Sequence, residues 1–377
     1  MALSREQIAQ QAGRKIASSA AGLPAMHATI GLDGFVDHII DVVDKRHDFQ
    51  SYDPITTISA FAKKIAAAAG ESSNYELVTR QMKLGGNGPI MANALAAFGL
   101  AINYIGIVGS PAIHPVFDEL ARRAKVISLG EPGQTMALEF TDGKLLLGNV
   151  QTCLDVNWNK LMERVGKEQL RQLIGQSKLV GLVNWTMLPC MTEIWQKMQS
   201  DIWPVLPKGD RMLFVDLADP EKRRPADIVQ ALDQLTAFQK QVNITLGLNL
   251  KEAVEILEVL HLPKDSNHES AIESYARAIR VKLNLSCVVI HPRRSAAAAT
   301  ADASARFEGP FVQQPKISTG AGDHFNAGFC LGRILGMTLE ESLCCGVATS
   351  GYYVRTAISP SAAELSEFLD HLPAPQG

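Results

Sequence analysis

A chain of 377 residues that is 46% hydrophobic and 20% charged has the composition of a folded globular protein, which excludes a disordered one. Lys and Arg total 36 against 39 for Asp and Glu, and the net charge of −3 lacks the cationic excess that a nucleic-acid partner requires. No apolar run approaches the roughly 18 residues of a membrane helix, so neither nucleic acid nor membrane is an expected partner.

Residues 1–22 mix Arg, Glu, Gln and Lys with alanines, the pattern of an amphipathic helix without the apolar core of a leader. A strand is predicted at 28–32. Strand-like segments follow at 34–44 and 75–83, flanking a helix at 57–69, and then a helix at 88–98, a strand at 102–108 and a helix at 114–124. Alternating apolar residues at 135–140 and 145–150 around Thr141-Asp142-Gly143-Lys144 predict a hairpin on an Asp-Gly turn. Beyond it come a helix at 159–174, strands at 179–183, 212–216, 244–248 and 287–291, and helices at 225–241 and 270–283. The alanine-rich stretch 295–305 reads as a surface segment, and 306–317 as a late hairpin around Gly309-Pro310. Helices at 324–335 and 339–354 close the chain, the second with a capping box of Thr338 and Glu341, before a frayed end at 373–377.

Buried strands alternating with helices of crossover length predict an α/β fold with a mostly parallel central sheet and helices on both faces. One domain spans 1–377, with the antiparallel patches at about 34–83 and 131–152 inserted as a small β-strand lid. Six cysteines without a C-x-x-C pair read as free thiols in a reducing cytoplasm.

The strongest chemical signal is Ser318-Thr319-Gly320-Ala321-Gly322-Asp323, which runs into an apolar-periodic helix. Glycines let the backbone approach a ligand closely, and amides at a helix start form an anion site. The amides of Ala321, Gly322 and Asp323 are expected to face that site, with phosphate as occupant. A carboxylate there can take the proton, or a strong hydrogen bond, from a hydroxyl attacking the phosphate, which makes Asp323 a candidate general base. The same letters also suit a tight turn with a capping carboxylate. No G-x-x-x-x-G-K-[ST] occurs, and no G-x-G-x-x-G follows the first strand, which excludes P-loop and dinucleotide-binding readings.

The segment 318–329, STGAGDHFNAGF, resembles the C-terminal signature of the ribokinase-like PfkB carbohydrate kinases. Lys83-Leu84-Gly85-Gly86-Asn87-Gly88 resembles the family's N-terminal Gly-Gly motif, and Asp33-Gly34-Phe35-Val36-Asp37 its sugar-binding aspartate segment. The resemblance implies transfer of the γ-phosphoryl of ATP, with Mg²⁺, to a hydroxyl of a small sugar. It casts Asp323 as base and Gly320, Ala321 and Gly322 as anion hole. Substrate contacts are expected from Asp33, Gly85, Gly86 and Asn87, with Asp37 and Asn184 as further candidates. Asn249 and Glu252 fit the family's N-x-x-E motif, which orders Mg²⁺ through its waters; the same two residues also suit the cap of a helix. A homodimer through the lid strands is also implied.

Three departures stand out. Ile90 occupies a place where the family carries Asn, and Asn93 lies one turn on. Ile317 occupies the place of an Asp that helps hold potassium. Where the family shows a glycine cradle for nucleotide phosphates, this chain reads His291-Pro292-Arg293-Arg294-Ser295, offering His291 and Arg293 instead. The alternatives are a nucleoside or other small-alcohol kinase of the same family, or a ligand-binding descendant without turnover.

Overall fold

The structure, a computed structural model, describes residues 3–375. Helix α1 (Arg5–Ser19) begins on a capping box of Ser4 and Gln7. Next come β1 (His27–Leu32), β2 (Phe35–Arg46), β3 (Tyr52–Pro54), α2 (Ile58–Ala67), β4 (Leu77–Gly85) and α3 (Asn87–Phe98). The chain continues through β5 (Ala101–Gly106), α4 (Asp118–Arg123), β6 (Ala124–Ser128), β7 (Gly133–Phe140), β8 (Gly143–Asn149), α5 (Trp158–Arg164) and α6 (Lys167–Gln176). Then follow β9 (Ser177–Val183), α7 (Met191–Lys197), β10 (Met212–Asp216), α8 (Pro225–Phe238), β11 (Asn243–Leu248), α9 (Leu250–Val259) and α10 (Ile272–Leu283). The last elements are β12 (Cys287–Ile290), β13 (Ser295–Thr300), β14 (Ser304–Glu308), α11 (Ala321–Ile334), α12 (Leu339–Thr356) and α13 (Ala362–Asp370).

Nine strands form one sheet in the order β14-β13-β12-β11-β10-β9-β1-β5-β6, parallel throughout except that β13 runs opposite to its neighbours β12 and β14. Its strands are apolar on both faces because helices cover both: Leu213 and Val215 enter one core cluster, Phe214 the other. The second sheet joins β3, β2, β7 and β8, with β4 also paired to β2. Its outer face is partly covered by α2, through Phe61 against Ile40, Val42 and Leu138. Among the described residues no helix is long and apolar enough to cross a membrane, and all six cysteines are free, five of them buried.

The late hairpin lies elsewhere than predicted. Its strands are β13 and β14, and the alanine-rich stretch is an interior strand: Ala296 to Ala299 are all fully buried. Ala297 and Ala299 face one core cluster, Ala296 and Ala298 the other, so methyl-sized residues let helices close over both sides. The predicted helix 159–174 is two helices, broken at Gly166 with φ of +76°. Part of the predicted frayed end is fixed, since Arg5 donates to the Pro373 carbonyl at 2.7 Å; residues 376–377 of that end lie outside the described residues.

Helices α11 and α12 pack backbone to backbone. A Cβ at Gly328 would stand 2.3 Å from Thr349 Oγ1 and 2.5 Å from the Cys345 carbonyl oxygen. Helix α11 is thereby seated against α12, and it also packs on α3.

Candidate active site

The parallel strands end on one side of the main sheet, where α/β folds place their ligands. Asp33 follows β1, Asn184 follows β9, Asp216 closes β10, Asn249 follows β11 and His291 follows β12. The strand order reverses at β1, and there the side chains of Asp33 and Asn184 meet at 2.7 Å. Above them lies a cleft of about 400 Å³ between the two sheets.

Asp33 and Asp37 are placed differently. Asp33 is 0% exposed and lies behind the cleft wall. Its Oδ1 accepts the Gly88 amide at 2.9 Å, and its Oδ2 accepts the Asn87 amide at 2.9 Å and Asn184 Nδ2. These are the first amides of α3, so the carboxylate satisfies a helix start that has no side-chain cap of its own. Burial pushes its pKa up to about 6, against the pull of those donors. The expectation that Asp33 meets the substrate directly does not match this enclosure. Asp37, four residues on in β2, lines the cleft; burial raises its pKa, while Thr135, Lys83 and Lys144 lower it. Gly85 leaves room for it, since a Cβ there would stand 2.4 Å from the Asp37 carboxyl carbon.

The Gly-Ala-Gly-Asp turn opens α11 as predicted, with Gly320 at φ +86°, a conformation few other residues adopt. Asn87 Nδ2 donates to Asp323 Oδ1 at 2.9 Å, tying the turn to the start of α3. Asp323 is buried but lines the cleft, as do Gly320 and Gly322. Burial raises its pKa well above the carboxylate range, and the charges of Asp216 and Asp33 add to that. One expectation is corrected: the Ala321 amide donates to the Ser318 carbonyl at 3.2 Å and closes the turn. The amides of Gly320 and Gly322 make no hydrogen bond among the described residues, and that of Asp323 meets only its own carboxylate, so these three remain for a ligand.

On the far side of Asp323 stand two buried carboxylates. Asp216 accepts Asn326 Nδ2 at 2.8 Å and the Ala218 amide at 2.9 Å. Glu252 accepts the amides of Asn249 and Asp219 at 2.8 and 2.9 Å. Asn249 and Glu252 form the capping box of α9, and both also line the cleft. Burial raises the pKa of each acid, and the nearness of Asp216 raises that of Glu252 further. Among the described residues no three His, Cys, Asp or Glu side chains converge on a metal position.

A second cavity of about 770 Å³ adjoins the first, sharing Asn249 and His291. Leu250, Val254, Pro292 and Phe311 give it an apolar lining, and Arg293 and Arg294 stand at its edge. His291 stacks on Phe325, with ring centroids 4.5 Å apart, and its Nε2 is buried without a partner.

The sequence profile of the prokaryotic ketohexokinases matches residues 6–372. The chain belongs to this family. It is 27% identical over 340 residues to the ketohexokinase of Haloferax volcanii, covering 90% of this chain and 89% of that one. Solved structures with the same fold include a carbohydrate kinase from Agrobacterium tumefaciens at TM-score 0.62 and 16% identity, over 92% of this chain and 98% of that one. A ribokinase from Thermotoga maritima matches at TM-score 0.58 and 15% identity, over 92% and 99% of the two chains. The protein is a carbohydrate kinase with the ribokinase-like fold.

In this ketohexokinase-family chain, sequence reasoning missed three residues of the cleft region. Asp216 ends an apolar strand, the same signal that marked Asn249, and could have been found by it. Lys144 reaches from β8 to the Thr319 hydroxyl, a contact between hairpin and turn 175 residues apart that no local pattern reveals. Tyr353 donates to the Thr319 carbonyl at 3.0 Å from the last turn of α12. Ile90 lines the cleft and lies against Gly320, whereas Asn93 pairs with Glu119 away from it.

Proposed function

We propose that the protein transfers the γ-phosphoryl group of ATP to a hydroxyl of a ketohexose, with Asp323 as general base. The observation that carries this reading is the position of Asp323. It faces a cleft whose one wall holds Asp37 and whose other wall holds the free amides of Gly320 and Gly322. An alcohol held on Asp37 and on the Gly86–Asn87 turn would present its oxygen to Asp323. The two amides would bear the charge that develops on the phosphoryl group, where preorganised donors contribute most. Lys144, the cation at the Thr319 end of that turn, would add to them.

Asp216 and Glu252 fit a hard divalent cation, because two buried, amide-held carboxylates keep unfavourable like charges together unless one arrives. Mg²⁺ there, reached through its waters and assisted by Asn249, would neutralise charge on the nucleotide phosphates. The second cavity, with Asn249, His291 and Arg293, would take the nucleotide. The hairpin sheet would act as a lid, excluding water from the acceptor side. His38, Met82, Met136 and Leu147 form one cross-strand row on its outer face, and the three apolar side chains are exposed. That row supports pairing of two copies through the lid, which sedimentation of the purified protein tests; a monomer rejects it.

An acceptor panel with ATP and Mg²⁺ tests the reading. Fructose is expected to be phosphorylated, and adenosine is not, since Phe35 and His291 are the two aromatic rings among the cleft-lining residues and His291 is already stacked on Phe325. Preferred turnover of nucleosides would overturn the acceptor assignment. Asp37→Asn is expected to raise the KM for the sugar by about 10- to 100-fold, as loss of hydrogen bonds to a charged group implies, with the KM for ATP within about twofold. An unchanged sugar KM would remove Asp37 from the acceptor site.

A further inference from the structure

His324 follows the candidate base directly but is not part of the cleft lining. It is 2% exposed, and both ring nitrogens are engaged. Nδ1 lies 2.7 Å from the Gly320 carbonyl oxygen and Nε2 lies 2.9 Å from Ser359 Oγ. A carbonyl only accepts, so Nδ1 carries the proton; Nε2 then holds a lone pair and accepts the serine hydroxyl. The ring is neutral, in keeping with a pKa that burial lowers to about 4. It stacks on Tyr353 with centroids 3.6 Å apart and planes 12° from parallel.

These two stacked rings hold two consecutive carbonyls. Tyr353 binds that of Thr319, and His324 binds that of Gly320. In a trans peptide the N–H points opposite to the preceding C=O. Fixing the Thr319 carbonyl on the helix side therefore aims the Gly320 amide at the cleft. Fixing the Gly320 carbonyl sets the next peptide, whose amide closes the turn on Ser318. Glycine at φ +86° makes the turn possible. The Gly320–Ala321 peptide is also held by the backbone, its carbonyl accepting the His324 amide at 3.1 Å and its amide donating to Ser318, and the His324 ring reinforces it. The Thr319–Gly320 peptide, which carries the free Gly320 amide, has the Tyr353 hydroxyl as its donor.

We propose that His324 and Tyr353 are positioning residues, a stacked brace that holds the Gly320–Gly322 turn with its free amides facing the transferring phosphoryl group. This rests on the anion-hole reading above and adds residues that never touch substrate. It also assigns a role to the position directly after the base, in the first turn of α11.

The test uses His324→Phe, which retains a ring for Tyr353 and loses both hydrogen bonds. His324→Asn is its rescue, since the Asn amide sits where Nδ1 does and can still donate to Gly320. For His324→Phe, kcat is expected to fall by about 10- to 100-fold, less than deletion of an oxyanion donor because the amides remain, with the sugar KM within about threefold. Affinity for ADP with Mg²⁺ and aluminium fluoride, a mimic of the transferring phosphoryl group, is expected to fall with kcat while affinity for ADP alone is kept. His324→Asn is expected to regain most of the loss, and Tyr353→Phe, which releases the carbonyl that aims the Gly320 amide, to show a decrease of the same kind and at least as large. A purely structural role would lower the melting temperature without separating the fluoride complex from ADP.

Wild-type kcat in His324→Phe, or a loss shared equally by ADP, overturns the brace. Should His324→Phe fail to fold, Tyr353→Phe and His324→Asn decide on the same readouts. Asp323→Asn, run in parallel, separates the two levels. If it is inactive while the brace variants are normal, only the brace fails; if it turns over normally, the anion-hole and base reading itself fails.

Discussion

Asp323→Asn is expected to lower kcat by about 10²- to 10⁴-fold, the usual contribution of a positioned general base. The substitution is nearly isosteric and retains the oxygen that accepts Asn87 Nδ2, so the turn should keep its place. ATP affinity should stay within a few-fold, because the second cavity, the one proposed for the nucleotide, does not include this residue. Steady-state kinetics with calorimetric titration of a non-hydrolysable ATP analogue checks both halves. The wild-type pH profile offers a second check. Burial and neighbouring acids raise the Asp323 pKa in the free enzyme, and the base must be ionised to act. The acid limb of kcat/KM should therefore lie above the ordinary carboxylate range, and its absence in the variant's residual activity would tie the limb to this group. Near-normal turnover by Asp323→Asn would end the general-base assignment.

Much of this site was readable because its parts obey local rules. An apolar strand followed by a polar residue, as at Leu248-Asn249, places that residue at the ligand end of a parallel sheet whatever the family. A Gly-Ala-Gly-Asp turn before a periodic helix presents amides and a carboxylate together for the same reason. Where reading failed, the deciding contact was distant in sequence. Asp33 and Asp37 stand four residues apart with similar neighbours, yet one is roofed by α3 and the other opens onto the cleft. That difference depends on Asn87, Gly88 and Asn184, none of which a strand pattern around residue 33 can report. The alanines of β13 misled for a related reason. Small side chains look like a surface tract until helices are known to close on both faces. The amide of Ala321 seemed available from its place at a helix start, but Ser318, three residues before it, already accepts that hydrogen.

Replacing Asp33 separates an enclosed role from a contact with the sugar. Asp33→Ala would strand three buried donors, the amides of Asn87 and Gly88 and the side chain of Asn184, at about 1–3 kcal/mol each. Opposing this, the variant no longer buries a charge; a pKa raised from 3.8 to about 6 corresponds to about 3 kcal/mol at neutral pH. The net expectation is a loss of about 3 kcal/mol at pH 7, measured by urea unfolding. The sign of its pH dependence follows from the raised pKa. The folded protein binds the proton more tightly than the unfolded chain, so the wild-type advantage is full below about pH 4 and declines as pH rises through about 6. The gap between wild type and Asp33→Ala should thus narrow between pH 4 and pH 7. Activity should change through Asn87, which Asp33 fixes by its amide and which in turn holds Asp323: kcat falls, with only a modest rise in sugar KM because Asp37 still holds the acceptor. A carboxylate that gripped sugar hydroxyls would behave in the opposite way, with a large rise in KM, little loss of stability and no pH-dependent gap. Observation of that second pattern would move Asp33 from behind the wall into the acceptor site and displace the network described for it.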